Sequence, residues 1–521
     1  MSLPDNLTAI IIKHSQELKK TGVLTVRPGY RMVNSWPTKD PAIVVIVSKG
    51  APEPALPSEI EGFPIDMRKA TDVEEFRFRQ PGTFAKIAAQ RSEFRGDAFP
   101  ETDPAGEGTN ADAETSIDVA AAKPELPYTS PDGVSLAATT GTFAITCHAS
   151  PDAGWPNLSK FLADTRSTLT VGMYDFTSKH ILDAVNADLL GKHQLEIVLD
   201  NPAKNPTADQ TDIQTVASLN DELGTELSWA WALVRSNKAV SRWIYPTAYH
   251  IKVAVRDSTA VWLSSGNWNN SNQPDIDPID HPTDADQTVA RKSDRDWHVI
   301  IEDPGLAGTF EAFLKHDFDI ASSEESGERE EIAAEAAVEI PQLEAIAQGE
   351  FEFHAPLRIE DESITITPLL TPDPGIYQSA ILRLIQSAEK TLYIQLQYIH
   401  PSNKEQDSDF TALIDAVIDR IQAGVDVRII LSQWQVSNGW LERLQSAGVD
   451  LSVVKIQNGV HNKGFVVDSE RVALGSQNWS ADGVLKNRDA SVIIENTTAA
   501  QYYEKIFLHD WERIAKQSTQ Q

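Results

Sequence analysis

Two stretches of the sequence place a histidine and a lysine two residues apart, followed by a short polar turn. VHNKGFVVDSERVALGSQNWS spans 460–480, and YHIKVAVRDSTAVWLSSGNWN spans 249–269. Residues two apart on a strand face the same way, so each histidine is expected to share a space with its lysine. The two pairs are His250 with Lys252, and His461 with Lys463.

If the two stretches pack together, their imidazoles and ammonium groups converge on one pocket suited to a phosphate. One imidazole can attack phosphorus while the other protonates the leaving oxygen. Lysines and amide donors can stabilise the charge on the remaining oxygens without a metal. The sequence therefore predicts phosphodiester cleavage through a phosphohistidine. The groups predicted to bind the phosphate are Ser265, Asn267, Ser476 and Asn478.

A nucleophilic histidine keeps its other ring nitrogen protonated, usually by donating a hydrogen bond to a carboxylate. A candidate carboxylate lies downstream in each copy, Asp296 in a DRD run and Asp489 in an NRD run. The first copy carries an insertion over 269–293, an acidic loop that either gates the pocket or is a tolerated surface loop. Asp257 and Asp468 lie five residues after their lysines and are expected to anchor turns.

Both copies resemble the HxK(x)4D(x)6GSxN signature of the phospholipase D superfamily. The second copy is complete, and the first has Ser264 where the signature has glycine. The similarity covers roughly residues 140 to 515. It implies a metal-independent phosphodiesterase with a covalent phosphohistidine intermediate, in which His250 attacks and His461 is the general acid. No His/Asp/Glu set has the spacing of a metal site, so we expect no metal and no cofactor.

Outside the motifs, the sequence predicts an internal repeat of alternating strands and helices. LTVGMYDFTS at 169–178 corresponds to LYIQLQYIHPS at 392–402. We expect an α/β fold of two phospholipase-D-like α/β/α sandwich halves related by a pseudo-two-fold axis, plus a small N-terminal α+β domain. The predicted segments are an N-terminal domain at 1–95, an acidic linker at 96–138, a first half at 139–321, a second acidic linker at 322–350 and a second half at 351–521.

The N-terminal segment carries no constellation of catalytic groups. A helical pattern, LTAIIIKHSQELKK, precedes two strand-like runs, VLTVRPGYRMV and AIVVIVSKG, which the turn-rich NSWPTKDP separates. We expect an accessory domain, with a protein partner as its possible ligand.

Charge and composition limit the choice of substrate. The 521 residues carry a net charge of −31, whereas nucleic-acid binders usually present a basic face. Our first hypothesis is therefore a phospholipid or a small headgroup diester, hydrolysed or transferred, and the alternative is a nuclease. A catalytically silent scaffold is a third hypothesis, which the retention of every reacting group in both copies opposes.

Three further features bear on the cellular location. The single cysteine, Cys147, excludes an internal disulfide, and the first residues lack the pattern of a signal peptide. The apolar run AIVVIV at 42–47 is too short to cross a bilayer. The sequence thus predicts a cytoplasmic protein without a transmembrane segment.

Overall fold

The computed structural model describes two compact units, one up to residue 70 and one from residue 128 onward. The described residues are 7–18, 20–33, 36–48, 50–52, 54–70, 128–191, 193–200, 208–235, 241–245, 247–322, 351–373 and 375–517. Most of the two predicted acidic linkers, 96–127 and 323–350, lies outside these residues. In the described part of the chain, no helix is both long enough and apolar enough to cross a bilayer.

The N-terminal unit is a small mixed sheet with helical turns beside it. Its elements are α1 (Leu7–Lys13), α2 (Ser15–Leu18), β1 (Val23–Val33), β2 (Trp36–Val47), β3 (Glu59–Ile60) and β4 (Phe63–Lys69). The strand order is β1-β2-β4-β3. Apolar side chains of α1 and α2 pack with those of β2, including Leu7, Leu18, Ile43 and Val45.

The turn predicted between the first two strands is mostly strand. β1 pairs with β2 from Val33↔Trp36 to Tyr30↔Pro41, so pairing continues through the segment that was predicted as a turn. The proline-containing part of β2 pairs on one side only, since β4 joins β2 from Ile43 onward. Proline is tolerated there because no second partner strand needs its missing N–H.

Two large sheets form the second unit. The strands of the first are β6 (Ala144–Ser150), β7 (Thr168–Met173), β8 (Gln194–Leu199), β9 (Leu227–Trp231), β12 (Lys252–Arg256), β13 (Ala260–Ser264), β14 (Asp296–Glu302) and β15 (Leu357–Ile359). Those of the second are β5 (Thr139–Gly141), β16 (Ile364–Thr371), β17 (Thr391–Leu396), β18 (Asp426–Ser432), β19 (Val454–Gln457), β20 (Lys463–Val467), β21 (Arg471–Gly475), β22 (Asp489–Glu495) and β23 (Lys516–Gln517). A separate hairpin joins β10 (Leu233–Arg235) to β11 (Ser241–Trp243).

Seven strands follow one another in the same order in both sheets. The order is β6-β14-β13-β12-β7-β8-β9 in the first and β16-β22-β21-β20-β17-β18-β19 in the second. In each sheet the last three of these strands pair in parallel. The remaining neighbouring pairs among the seven strands are antiparallel. The fold is α/β, and the repeat is present in the sheet topology. The pseudo-two-fold relation between the halves stays a prediction.

Each sheet ends on a strand from the other part of the chain. β5 precedes the first sheet in sequence but pairs with β16 of the second, and β15 precedes the second sheet but pairs with β6 of the first. Residues 128–138 of the first predicted linker also pack on this unit. Tyr128 and Ser130 each donate a 2.6 Å hydrogen bond to the carboxylate of Asp373.

Helices cover the sheets and fill the space between them. They are α3 (Gly154–Ala163), α4 (Lys179–Leu189), α5 (Asp212–Leu223), α6 (Asp286–Ala290), α7 (Pro304–Ser322), α8 (Ile376–Gln386), α9 (Ser408–Gln422), α10 (Trp440–Ser446), α11 (Ala481–Leu485) and α12 (Thr497–His509). α7 and α12 share one apolar core with strands of both sheets, through side chains such as Phe310, Phe313, Tyr503 and Phe507. Burial of these side chains holds the two sheets together and so fixes the site where their motifs meet.

Candidate active site

The two histidine motifs lie at the starts of central strands, one in each sheet, and each contacts the other repeat. His250 N donates to the carbonyl oxygen of Arg488 at 2.7 Å, and His461 N donates to that of Arg295 at 3.2 Å. Both histidines precede their strands, since β12 begins at Lys252 and β20 at Lys463. Each histidine therefore lies just before the strand that carries its lysine, and not on it. The backbone of each histidine is held by the opposite repeat.

The predicted carboxylates pair with the histidines in a crossed arrangement. His250 Nδ1 lies 2.8 Å from Asp489 Oδ1, and His461 Nδ1 lies 3.1 Å from Asp296 Oδ1. Both carboxylates are fully buried, and His250 and His461 are 3% and 8% exposed. Each histidine therefore takes its orienting carboxylate from the other repeat. One repeat alone cannot build either pair.

Both motif lysines are buried beside the histidines. Lys252 Nζ donates to the His250 carbonyl oxygen at 2.7 Å and lies 4.9 Å from the ring centroid of Tyr174. Lys463 Nζ lies 3.1 Å from Nδ1 and 3.2 Å from Nε2 of His461. The charges of both lysines and of His461 act on His250, which places the reacting groups of both repeats around one imidazole.

His250 has the features of a neutral nucleophile. Burial, followed by the positive charges of Lys252 and Lys463, lowers its pKa well below the ordinary value. Its Nδ1 faces Asp489, so the proton of the neutral ring lies on that nitrogen and Nε2 carries the lone pair. Among the described residues, Nε2 has no hydrogen-bond partner. The ring edge contacts Tyr174 at a centroid distance of 4.8 Å.

The two carboxylates differ in charge although they have the same place in the repeat. Burial raises the pKa of Asp489 to about 7, against the opposing effects of Lys252 and the Ser476 hydroxyl. Burial also acts on Asp296, but the charge and hydrogen bond of His461 and the charge of Lys463 outweigh it and lower the pKa of Asp296 far below its usual range. Asp296 is thus ionised at neutral pH, whereas Asp489 is close to its midpoint.

The predicted phosphate ligands divide into two groups. The hydroxyls of Ser265 and Ser476 each donate a 2.6 Å hydrogen bond to Asp296 and Asp489, respectively. A hydroxyl has one proton, so each serine supports a carboxylate in this arrangement rather than presenting a donor to the pocket. Asn267 Oδ1 is buried and has no hydrogen-bond partner among the described residues. Phosphate binding by Ser265, Asn267, Ser476 and Asn478 stays a prediction.

The two motif aspartates lie at tight turns away from the histidines. The Asp257 carboxylate accepts hydrogen bonds from the backbone N–H groups of residues 166, 167 and 168, and Asp468 does the same with residues 389, 390 and 391. Both residues have positive φ angles, 51° and 54°. These contacts support the predicted turn-anchoring role.

The serine that replaces glycine in the first motif has a specific environment. Ser264 Oγ is hydrogen-bonded to His298 Nδ1 at 2.6 Å and accepts the Gly266 N–H at 2.7 Å. At the corresponding Gly475, a Cβ atom would lie 1.9 Å from Ser491 Oγ and 2.3 Å from the Ala490 carbonyl oxygen. In the first repeat, His298 occupies the position that corresponds to Ser491 and forms the hydrogen bond with Ser264.

Sequence analysis missed the two arginines that precede the carboxylates. Arg295 is fully buried with Asp152 and with Asp510, which accepts from its Nε at 2.9 Å. Arg488 is fully buried with Asp317, which accepts from its Nη2 at 2.6 Å. Each network joins side chains of both repeats behind the site. The Arg-Asp dipeptide that repeats in the DRD and NRD runs was the sequence signal that could have identified these arginines.

Comparison with known proteins agrees with the motifs. The family described as cardiolipin synthase, PLD-like domain, matches residues 381–511. A phospholipase D of Rickettsia conorii is 30% identical over 149 residues, which are 28% of this chain and 67% of that protein. The chain belongs to the phospholipase D superfamily.

Two further proteins are similar to parts of this superfamily member. The mitochondrial cardiolipin hydrolase of Mus musculus is 32% identical over 95 residues, which are 18% of this chain and 41% of that protein. The solved phosphatidylserine synthase of Haemophilus influenzae has 12% identity and a TM-score of 0.46, and the match covers 71% of this chain and 87% of that one. The family match and the phospholipase D and cardiolipin hydrolase relatives make the chain a phosphodiesterase-type enzyme of the superfamily. The family match spans the second motif, whereas the first motif lies outside it.

Proposed function

We propose that the protein cleaves a phospholipid phosphodiester through a covalent phosphohistidine on His250, with His461 as the proton donor. The observation that carries this proposal is the pair of crossed His–Asp contacts, which collects two histidines and two buried lysines at one site. A neutral imidazole with an unpartnered Nε2 supplies a nucleophile, and an imidazole beside an ionised carboxylate supplies an acid.

In the first step, the Nε2 lone pair of His250 attacks phosphorus. The P–N bond forms as the bond from phosphorus to the alcohol oxygen breaks, and His461 donates a proton to the departing alkoxide. Asp489 accepts a hydrogen bond from the Nδ1–H group of His250 while the imidazole ring gains positive charge. Lys252 and Lys463 stabilise the negative charge on the non-bridging oxygens.

In the second step, neutral His461 removes a proton from water as the water oxygen attacks phosphorus. The P–N bond breaks, its electron pair returns to His250 Nε2, and the phosphate monoester is released. An alcohol in place of water would give transfer instead of hydrolysis by the same sequence of bonds.

A lipid substrate is favoured over nucleic acid by two observations. The net charge of −31 opposes the counterion release that supplies most non-specific affinity for nucleic acid. The relatives with identities of 30% and 32% are named for phospholipids or cardiolipin. The matches cover about two thirds or less of those proteins, so their substrates come to this chain only as this proposal.

The test compares choline release from phosphatidylcholine vesicles with degradation of single- and double-stranded DNA, for the wild type and for His250→Gln. Glutamine keeps a donor for Asp489 but has no nucleophilic ring nitrogen. We expect choline release by the wild type, with or without EDTA, none by the variant, and a lipid adduct on His250 in protein quenched at alkaline pH.

Two results would overturn the proposal. Cleavage of DNA without release of choline would make the protein a nuclease. Equal activity of the wild type and His250→Gln on either substrate would exclude His250 as the nucleophile.

A further inference from the structure

The insertion in the first repeat reaches the active site through one buried amide. Asn272, which is 1% exposed, donates from Nδ2 to Asp296 Oδ2 at 2.8 Å and to Asp294 Oδ2 at 3.1 Å. Its Oδ1 accepts the backbone N–H of Asn267 at 3.1 Å. All the polar atoms of this amide therefore face named partners.

These contacts fix the orientation of the Asn272 side chain. A flipped amide would turn its oxygen toward two carboxylates and its NH₂ toward a backbone N–H, which loses all three hydrogen bonds. The amide is itself anchored, because the Asn272 N–H donates to Asn269 Oδ1 at 2.9 Å. The donor aimed at Asp296 is thus rigid and is supplied by the insertion.

The second repeat has no amide that contacts its carboxylate as closely among the described residues: the side chain of Asn487 lowers the pKa of Asp489, but no group is within hydrogen-bonding geometry of Oδ2. Asp296 accepts hydrogen bonds from His461, Ser265 and Asn272. On Asp489, His250 and Ser476 both contact Oδ1, while Oδ2 is buried and has no hydrogen-bond partner among the described residues. In the second repeat the chain passes from Asn478 to Asp489 through the short helix α11, with nothing that corresponds to the insertion.

We propose that Asn272 is a positioning residue that holds Asp296 as a carboxylate anion and thereby makes His461 the proton donor and His250 the nucleophile. The inference rests on the proposed function and explains how two copies of one motif take different roles. The 2.8 Å contact from a buried, oriented amide to Oδ2 of Asp296 carries it, since Oδ2 of Asp489 has no hydrogen-bond partner among the described residues. A donor to an anionic oxygen stabilises the anion, and the anion in turn stabilises a neighbouring imidazolium.

Other charged groups surround the two His–Asp pairs and also affect the pKa values of the two carboxyl groups. Asp296 faces His461, Lys463, His298 and Asp294, whose own pKa is raised by burial. Asp489 faces Lys252 and Lys463, and His250 also faces His461. Both lysines would favour ionisation of Asp489, yet it is the carboxylate whose pKa is raised. Burial is the largest cause of that rise, and the weaker effects of the Ser476 hydroxyl and the Asn487 amide also oppose it.

The experiment measures Asn272→Ala on two diesters and by NMR. Phosphatidylcholine has an alkoxide leaving group that needs a proton, whereas bis(4-nitrophenyl) phosphate has a leaving group that departs without one. We expect choline release to fall about 10- to 100-fold and nitrophenol release to change less than about 3-fold. In histidine-labelled protein, we expect the downfield Nδ1–H resonance of His461, at its contact with Asp296, to move upfield.

The matched control is Asn270→Ala, an exposed asparagine of the same insertion, which should leave both activities and the His461 resonance unchanged. Asn272→Ser keeps a donor on a shorter side chain, and its activities should lie between those of the wild type and Asn272→Ala. It replaces the alanine variant in the experiment if that variant does not fold. Equal losses on both diesters with an unchanged His461 Nδ1–H resonance would overturn the inference. A wild type inactive on both diesters, with the NMR shift present, would instead reject the proposed function.

Discussion

The His250–Asp489 and His461–Asp296 pairs contain the same residue types at equivalent places in a repeat, yet their surroundings differ. His250 has a depressed pKa, and its carboxylate partner titrates near neutrality with one oxygen unpartnered among the described residues. The partner of His461 is ionised and accepts three hydrogen bonds. The two repeats hold the same groups, and the proposed difference in their roles rests on the unequal hydrogen bonding around the two carboxylates.

Replacing either histidine gives the largest expected effects. His250→Ala should lower turnover of both phosphatidylcholine and bis(4-nitrophenyl) phosphate by about 10⁴-fold or more, because the covalent step is lost. His461→Ala should lower choline release by about 10²- to 10⁴-fold but spare release of nitrophenol in a single turnover, since that leaving group needs no acid. Rapid-quench measurement of the first turnover separates the two steps. The same loss in both variants on both substrates would mean that the two pairs are not specialised.

The carboxylates give the next contrast. Asp296→Asn should lower choline release at pH 6 by about 10²-fold, because its NH₂ would face the NH₂ of Asn272 and the ionised partner of His461 would be lost. Asp489→Asn should lower it less than about 10-fold at the same pH, where Asp489 is already mostly protonated and its Oδ2 has no hydrogen-bond partner among the described residues. Steady-state kinetics on the matched pair tests this. A larger loss for Asp489→Asn would reverse the assigned roles.

The residue types and their spacing were enough to identify the groups that meet at this site. His250, His461 and the two Arg-Asp runs repeat in the sequence, so each copy marks its counterpart. Spacing could not show that each histidine takes the other repeat's carboxylate, because that depends on the backbone hydrogen bonds from His250 to Arg488 and from His461 to Arg295.

Features without a counterpart in the repeat were harder to predict. Asn272 lies in an insertion whose polar composition is that of a surface loop, and one residue of it turns inward to a carboxylate. The prolines at 37 and 41 favour a turn locally, whereas pairing with β1 extends the strand through them. The exchange of β5 and β15 between sheets depends on contacts that are distant in sequence, which a local pattern does not encode.

The pH dependence of stability extends the comparison of the carboxylates. Asp489 has a folded-state pKa of about 7, above the unfolded value near 4, so its contribution to stability is present below about pH 4 and is lost as pH rises through 7. Asp489→Asn removes this loss. We expect the free energy of unfolding of Asp489→Asn, relative to that of the wild type, to rise by about 2 kcal/mol between pH 5 and pH 8. Denaturation of both proteins at the two pH values measures it, and a fall over that range would contradict the raised pKa.

The smallest expected effect comes from Ser264, where the two motifs differ in sequence. Ser264→Gly restores the residue found in the second motif but leaves buried His298 Nδ1 and the Gly266 N–H without their partner. We expect a loss of stability of about 1 to 2 kcal/mol, with turnover changed less than about 3-fold, because Ser265 and Asp296 keep their contact. Ser264→Ala is the matched control, since it removes the hydroxyl but keeps the Cβ atom, and thermal denaturation of the two variants separates hydrogen bonding from backbone flexibility. If Ser264→Gly were as stable as the wild type, the serine would be a neutral replacement. A loss confined to glycine would assign the effect to the backbone, and a loss shared with alanine would assign it to the hydrogen bonds with His298 and Gly266.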